Sequence, residues 1–236
     1  MKFKTVFIVA LMATFWSTDS FSQECKPVTF DGYTYDVVQI GDQCWFAENL
    51  RNEHYANGDE IPGDLSNKEW KTKDSGARAV YGEGEASQEE LLENLKTYGE
   101  LYNWYAVDDE RGLCPTGWHV PTDGEWMTLE MELGMSSFQA NSFGDRGTDQ
   151  GTQMKTTYGW KKDEGNGTNS SGFAGLPGGM RTRGKFKFLG AGFGANWWSS
   201  SPLGSRAYSR HILLNPVVSR GSSPKRDGYS VRCLKD

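Results

Sequence analysis

The chain has no Cys-x-x-Cys pair, and its three histidines, His54, His119 and His211, are scattered. Neither pattern offers a metal ion a ready set of ligands. It has no cluster of lysine and arginine, and 25 basic against 31 acidic residues leave a net charge of −6. That balance argues against nucleic acid or an anionic membrane surface as partner. The apolar stretch Phe7–Trp16 is too short to span a membrane. No nucleophile elbow surrounds the serine run Ser199–Ser201, so a serine triad with His211 lacks its usual setting.

What is present begins with an export signal. Lys2 and Lys4 precede that apolar stretch, and Ser20-Phe21-Ser22 places small residues where a signal peptidase cuts, so residues 1–22 read as a signal peptide and 23–236 as the mature chain. Removal of Lys2, Lys4 and Asp19 moves the net charge to −7. Cys25 lacks the small preceding residue of a lipidation site. The mature chain is therefore expected to be secreted, in the periplasm or at the cell surface, with no transmembrane segment. An exported chain with four cysteines is expected to form disulfides. Three connectivities are possible. Cys25–Cys44 with Cys114–Cys233 is preferred, because the first pair closes within one N-terminal unit and the second ties a central corner to the last strand. The length fits one domain, and 29 glycines with 31 aromatics indicate a loop-rich, β-rich fold.

The chain is organised around residues 113–133. Cys114, Pro115 and Gly117 make a stapled turn, and Thr122 with Glu125 forms a capping box that starts a helix. Trp126, Leu129 and Leu133 share its buried face, and Gly134 ends it. A second box, Ser87 with Glu90, opens another helix, whose apolar spacing (Leu91, Leu92, Leu95, Tyr98, Leu101, Tyr102, Tyr105) runs past Gly99, a residue able to break it in two. Tyr33–Ile40 and Gln43–Phe46 read as strands around a Gly41-Asp42 turn. Residues 51–81 are polar and read as a surface excursion. Residues 135–180 form a long loop, with Met154, Tyr158, Trp160, Phe173 and Leu176 as occasional anchors. Strands are expected over 186–194, 196–201, 207–214 and 229–234. Two helices early and an antiparallel meander late make an α+β domain.

Four segments in this order carry a resemblance: Gln39–Leu50, Tyr98–Val107, Cys114–Trp126, and a group made of Ser171–Gly179, Trp198-Ser199-Ser200 and Ser230–Cys233. Together they resemble the Fibrobacter succinogenes major paralogous domain family, found in exported proteins of that bacterium and of Bacteroidetes, over about Val28–Asp236. The resemblance implies a C-type-lectin-like fold akin to the formylglycine-generating enzyme, with two helices packed on small antiparallel sheets and long loops. It implies no established activity. Cys44 departs from the family pattern and points to a bridge added in this branch.

Several chemistries can be weighed on these residues. A formylglycine-generating oxidase needs a reactive cysteine pair with copper, whereas Cys114 and Cys233 fall where structural cysteines would. A calcium site would draw on Asp145, Asp149, Asp163, Glu164, Asn166 and Asn169, but the Glu-Pro-Asn, Gln-Pro-Asp and Trp-Asn-Asp signatures of sugar-binding C-type lectins are absent. No cofactor is expected, and Ca²⁺ is the one that the loop leaves open. Glycan binding without metal would use exposed rings: Trp160, Trp197, Trp198 and Tyr208 are the candidates. Trp197 and Trp198 point to opposite faces of one strand, so at least one belongs to the core. Arg181, Arg183, Lys185 and Lys187 alternate and read as a solvated face. The expected function is a non-catalytic domain that binds polysaccharide or another surface protein. The alternatives are an enzyme on the related fold and a purely structural exported protein.

Overall fold

A computed structural model describes residues 25–161, 165–184 and 187–236. The expected signal peptide lies outside the described residues, as do Asp163, Glu164 and Lys185.

The chain opens with β1 (Val28–Phe30) and β2 (Tyr33–Tyr35), which pair as a ribbon. Next, β3 (Val37–Ile40) and β4 (Gln43–Phe46) form the expected hairpin, with Gly41 at φ +57° in its turn. The strand expected over 33–40 is interrupted at Asp36, whose amide is held by Glu48 Oε1 at 3.0 Å. Residues 51–81 are not a surface excursion. They carry α1 (Asn67–Thr72) and β5 (Arg78–Val80), and bury Tyr55, Ile61, Trp70, Ala77 and Ala79. Most of the segment's few apolar residues are turned inward, so mean polarity misleads.

Helix α2 (Gln88–Tyr98) starts at the expected Ser87–Glu90 box and stops at Gly99. A Cβ on Gly99, at φ +70°, would stand 2.6 Å from the Leu50 carbonyl oxygen, which no side chain tolerates. The helical spacing beyond it is corrected: Leu101 and Tyr102 lie in the buried strand β6 (Glu100–Asn103), followed by the short α3 (Trp104–Val107). After β7 (Trp118–His119), α4 (Asp123–Glu132) begins at Thr122, with both bonds of the Thr122–Glu125 box formed. The chain continues through α5 (Ser137–Asn141), β8 (Gly144–Arg146) and α6 (Gln150–Met154). The remaining strands are β9 (Gly178–Arg181), β10 (Phe188–Ala191), β11 (Ala195–Leu203), β12 (Arg206–Ile212), β13 (Val218–Pro224), β14 (Gly228–Tyr229) and β15 (Leu234–Lys235).

The ladders between these strands are antiparallel, in sheets ordered β10-β9-β14-β6-β5, β11-β12-β13-β8 and β3-β4-β15-β7 beside the β1-β2 ribbon, with isolated parallel bridges at Trp197–Ser230 and Lys155–Gly175. The fold is mixed α+β with mostly antiparallel sheets and short helices. Both disulfides take the preferred pairing, Cys25–Cys44 and Cys114–Cys233.

Strand β11 divides the core. Trp197 faces Trp126 and Phe173 on one side, while Trp198 faces Tyr229 on the other. Between α4 and the β12-β13-β8 face lies a buried ion cluster. Glu130 binds Arg210 (2.7 Å) and Arg146 (2.6 Å), and Asp123 binds Arg210 (2.7 Å) and Arg220 (2.6 Å). Burial works to raise the Asp123 pKa, but the hydrogen bond from Arg220 and the charge of Arg210 outweigh it and hold it low. Arg181 does not share a solvated face: it is buried, paired with Glu83 at 3.0 Å and set over the Trp70 ring at 4.1 Å.

Candidate functional site

Three of the four family-like segments meet at one buried asparagine. Asn49 donates to the Tyr98 carbonyl (2.9 Å) and to Ser230 Oγ (3.2 Å). Its Oδ1 accepts from Trp197 Nε1 (2.9 Å) and from Arg232 Nε (2.8 Å). Arg232 is fully enclosed, and the rest of its guanidinium donates to the carbonyls of Phe46 (2.8 Å), Phe173 (2.7 Å) and Ala174 (3.1 Å). Among the described residues no carboxylate lies within ion-pair distance of it. Burial pushes its pKa down to about 9, so it keeps its charge at neutral pH. A buried cation satisfied by carbonyls acts as a clamp: it ties the 173–174 segment to the end of β4 and to the last stretch of the chain.

Outside this hub a cleft of about 340 Å³ opens to solvent, lined by Ala47, Glu48, Arg51, Lys96, Tyr158 and Leu176, with Asn49 and Ala174 at its base. Ala174 adopts φ +51°. Asp and Asn tolerate that region, alanine enters it at a cost of about 1–2 kcal/mol, and Ala174 is the only described residue other than glycine, Asp or Asn to occupy it. Asn169 Oδ1 accepts the Ala174 amide at 2.8 Å, and Arg232 takes its carbonyl, so both sides of the strained peptide are fixed. Also lining the cleft, Glu48 accepts from Arg51 (2.8 Å), Tyr33 (2.7 Å) and the Asp36 amide (3.0 Å). Arg51 also lies 4.0 Å over the Tyr33 ring. This pair presents donors and acceptors in fixed positions. Tyr158, 62% exposed, offers a ring at the rim.

The rings chosen from sequence lie elsewhere. Trp160, Trp197 and Trp198 are all buried, and each indole N–H has a partner: Thr156 Oγ1 (3.2 Å), Asn49 Oδ1 (2.9 Å) and the Tyr102 carbonyl (2.8 Å). A sugar needs an open ring face, so these three are core residues rather than a platform. The strand-face argument separates Trp197 from Trp198 correctly, but both faces of β11 are covered. Tyr208 is half-buried on a different surface, 5.7 Å from Phe143, with Arg220 over both rings. The structure does not bring the four together. Asn166 and Asn169, weighed for calcium, are spent on the Trp160 and Ala174 amides. Asn49, Arg232 and Tyr158 escaped sequence reasoning. The available signal is an Asn and an Arg, each beside an apolar residue, inside the motifs Gln39–Leu50 and Ser230–Cys233.

The serines near Trp198 do not meet His211 either. Ser201 Oγ accepts the Asp123 amide (2.9 Å), and Ser199 Oγ accepts the Ser201 amide (3.1 Å). His211 contacts Ser209 Oγ (2.8 Å) and Asn196 Oδ1 (2.7 Å). The spacing is that of a nucleophile, base and orienter, but Ser209 is fully buried and also bonded to Ser223. The group is a structural chain that runs on to Tyr229.

Burial, aided by the Arg210 charge and opposed by Asp145, lowers the His211 pKa to about 4. Its unfolded value is near 6.5, so the unfolded chain takes up this proton first. The stability is present above pH 6.5 and is lost as pH falls towards 4, by about 3 kcal/mol. Chemical denaturation at pH 7 and at pH 4.5 should show this loss in the native protein and most of it gone in His211→Gln. Equal losses in both would refute the assignment.

The family model described as the Fibrobacter succinogenes major domain matches residues 38–235, and the chain belongs to that family. No curated protein and no solved structure matches the chain.

Proposed function

We propose that this is a non-catalytic exported or cell-surface binding domain, and that the Tyr158 cleft takes a segment of polysaccharide. The observation that carries the reading is the pairing of a rigid, strained wall with an open aromatic rim. A sugar presents an apolar face and a ring of hydroxyls. Tyr158 and Leu176 match the first, and Glu48, Arg51 and Lys96 match the second. The C-type-lectin-like relationship implied by the sequence motifs fits this use. Two disulfides, and the lack among the described residues of any helix long and apolar enough to cross a membrane, fit an extracellular setting.

The test is a thermal-shift screen against plant and bacterial polysaccharides, followed by affinity electrophoresis of Tyr158→Ala. A ligand at a hundred times its Kd adds about 2.7 kcal/mol to stability. Tyr158→Ala should weaken binding at least about tenfold and leave unfolding unchanged within about 0.5 kcal/mol, because the ring is exposed. Binding that survives this substitution intact would sink the assignment of the cleft. A panel with no binder would favour a surface protein as the occupant.

A further inference from the structure

The chain has eleven arginines. Seven, Arg51, Arg78, Arg111, Arg146, Arg181, Arg210 and Arg220, form ion pairs with carboxylates. Arg232 is held by carbonyls and Asn49. The three that remain, Arg183, Arg206 and Arg226, all line one cleft of about 210 Å³, together with Lys225 and Tyr105. In a chain with a surplus of acids this is not a leftover of composition. Three separate segments, the loop after β9, the start of β12 and the turn between β13 and β14, deliver these cations to one concavity, and no carboxylate is among its described lining residues.

Neutral groups hold the cations in place. Arg206 Nε donates to Ser222 Oγ at 3.0 Å, and its Nη2 donates to the Ser222 carbonyl. Arg226 Nε donates to the Lys73 carbonyl at 3.0 Å. The Lys225 ammonium lies 4.0 Å over the Trp104 ring. These contacts orient the groups without neutralising them. The Asp227 carboxylate accepts the Arg183 amide at 3.4 Å, and the charges of Arg183 and Arg206 act on it. Four cations against one acid leave a field that concentrates anions, and planar guanidiniums suit the paired oxygens of a tetrahedral oxyanion. The volume is below the roughly 300 Å³ at which drug-sized ligand sites begin, so it fits a single anionic group.

We propose that this cleft is a binding site for a tetrahedral dianion, phosphate or sulfate, free or as a monoester. It shares no lining residue with the Tyr158 cleft, so the two sites stand or fall separately.

Isothermal titration of the mature protein with inorganic phosphate and with sulfate, at constant ionic strength set by chloride, tests it. Saturable binding of the dianions is expected, with Arg206→Gln/Arg226→Gln weaker by at least about tenfold. Arg183→Gln, in an exposed loop, gives the same reading should the double variant lose its fold. No saturable binding by the native protein up to millimolar dianion, or equal binding by the variants, would overturn the proposal. Glucose 6-phosphate and vesicles of anionic phospholipid then separate the sources. Competition by the sugar phosphate assigns a soluble ester, and co-sedimentation that free phosphate reverses assigns a lipid headgroup. Binding to vesicles that free phosphate leaves untouched would count against the site.

Discussion

Glu130→Gln is expected to cost about 3–5 kcal/mol of folding stability, the range for breaking a buried ion pair from one side. Glu130 is fully buried and holds Arg210 with one oxygen and Arg146 with the other. Glutamine keeps the shape but offers one neutral acceptor in place of two charged ones. The cluster has three guanidiniums and two carboxylates, so the change leaves three cations facing Asp123 alone. The same count sets an asymmetry. Arg146→Met removes the surplus cation and leaves Glu130 paired with Arg210, so it should cost less than half as much, chiefly for the Val218 carbonyl that loses its 3.0 Å bond. Urea denaturation of the two variants checks both statements. A loss under about 1 kcal/mol in Glu130→Gln, or a larger loss in Arg146→Met, would show that the pairs are not what holds α4 to the sheet.

What could be read from the sequence divides by distance along the chain. The capping boxes at Ser87–Glu90 and Thr122–Glu125 span three residues each, and both form as expected. The Gly41-Asp42 hairpin is equally local. The clamp between Asn49 and Arg232 joins residues 183 positions apart. No periodicity encodes that separation, and both residues pass as isolated polar positions. Strand β13 is not legible in the sequence, because Val218–Pro224 holds three serines and a single β-branched residue. Its arginine is drawn inward by Asp123, a partner 97 residues away. Helical spacing continued through Leu101 and Tyr102 for a related reason: apolar positions three and four apart fit a helix on paper. The close approach of the Leu50 carbonyl to Gly99, which ends that helix, is a tertiary fact. The aromatic candidates failed differently. The chemistry of tryptophan suits a sugar platform, yet exposure decides that role. Tyr158, named only as an anchor of the long loop, is the ring that faces solvent.

Removing the Cys114–Cys233 bridge, as Cys114→Ser/Cys233→Ser, should be more damaging than removing Cys25–Cys44. The sequence separations are 119 and 19. In the chain-entropy model a loop of roughly 100 residues is worth about 4.7 kcal/mol, and one near 15 about 3 kcal/mol. Position reinforces the entropy. Cys114 and Cys233 are both buried, beside Leu113, Val120 and Val231, so the serines would also place hydroxyls in the core. Cys233 directly follows Arg232, and its carbonyl accepts the Phe46 amide at 2.9 Å. Loosening this end therefore loosens the clamp on Ala174 and, with it, one wall of the Tyr158 cleft. Cys25 stands at the start of the described chain, half-buried, and its bridge ties that start to Cys44 in β4. Thermal unfolding of the two double variants should rank them in this order. Cys25→Ser/Cys44→Ser should keep the polysaccharide binding proposed for the cleft, and Cys114→Ser/Cys233→Ser should lose it at temperatures where the chain is still folded. The reverse ranking, or intact binding without the long-range bridge, would refute the coupling of cleft to clamp.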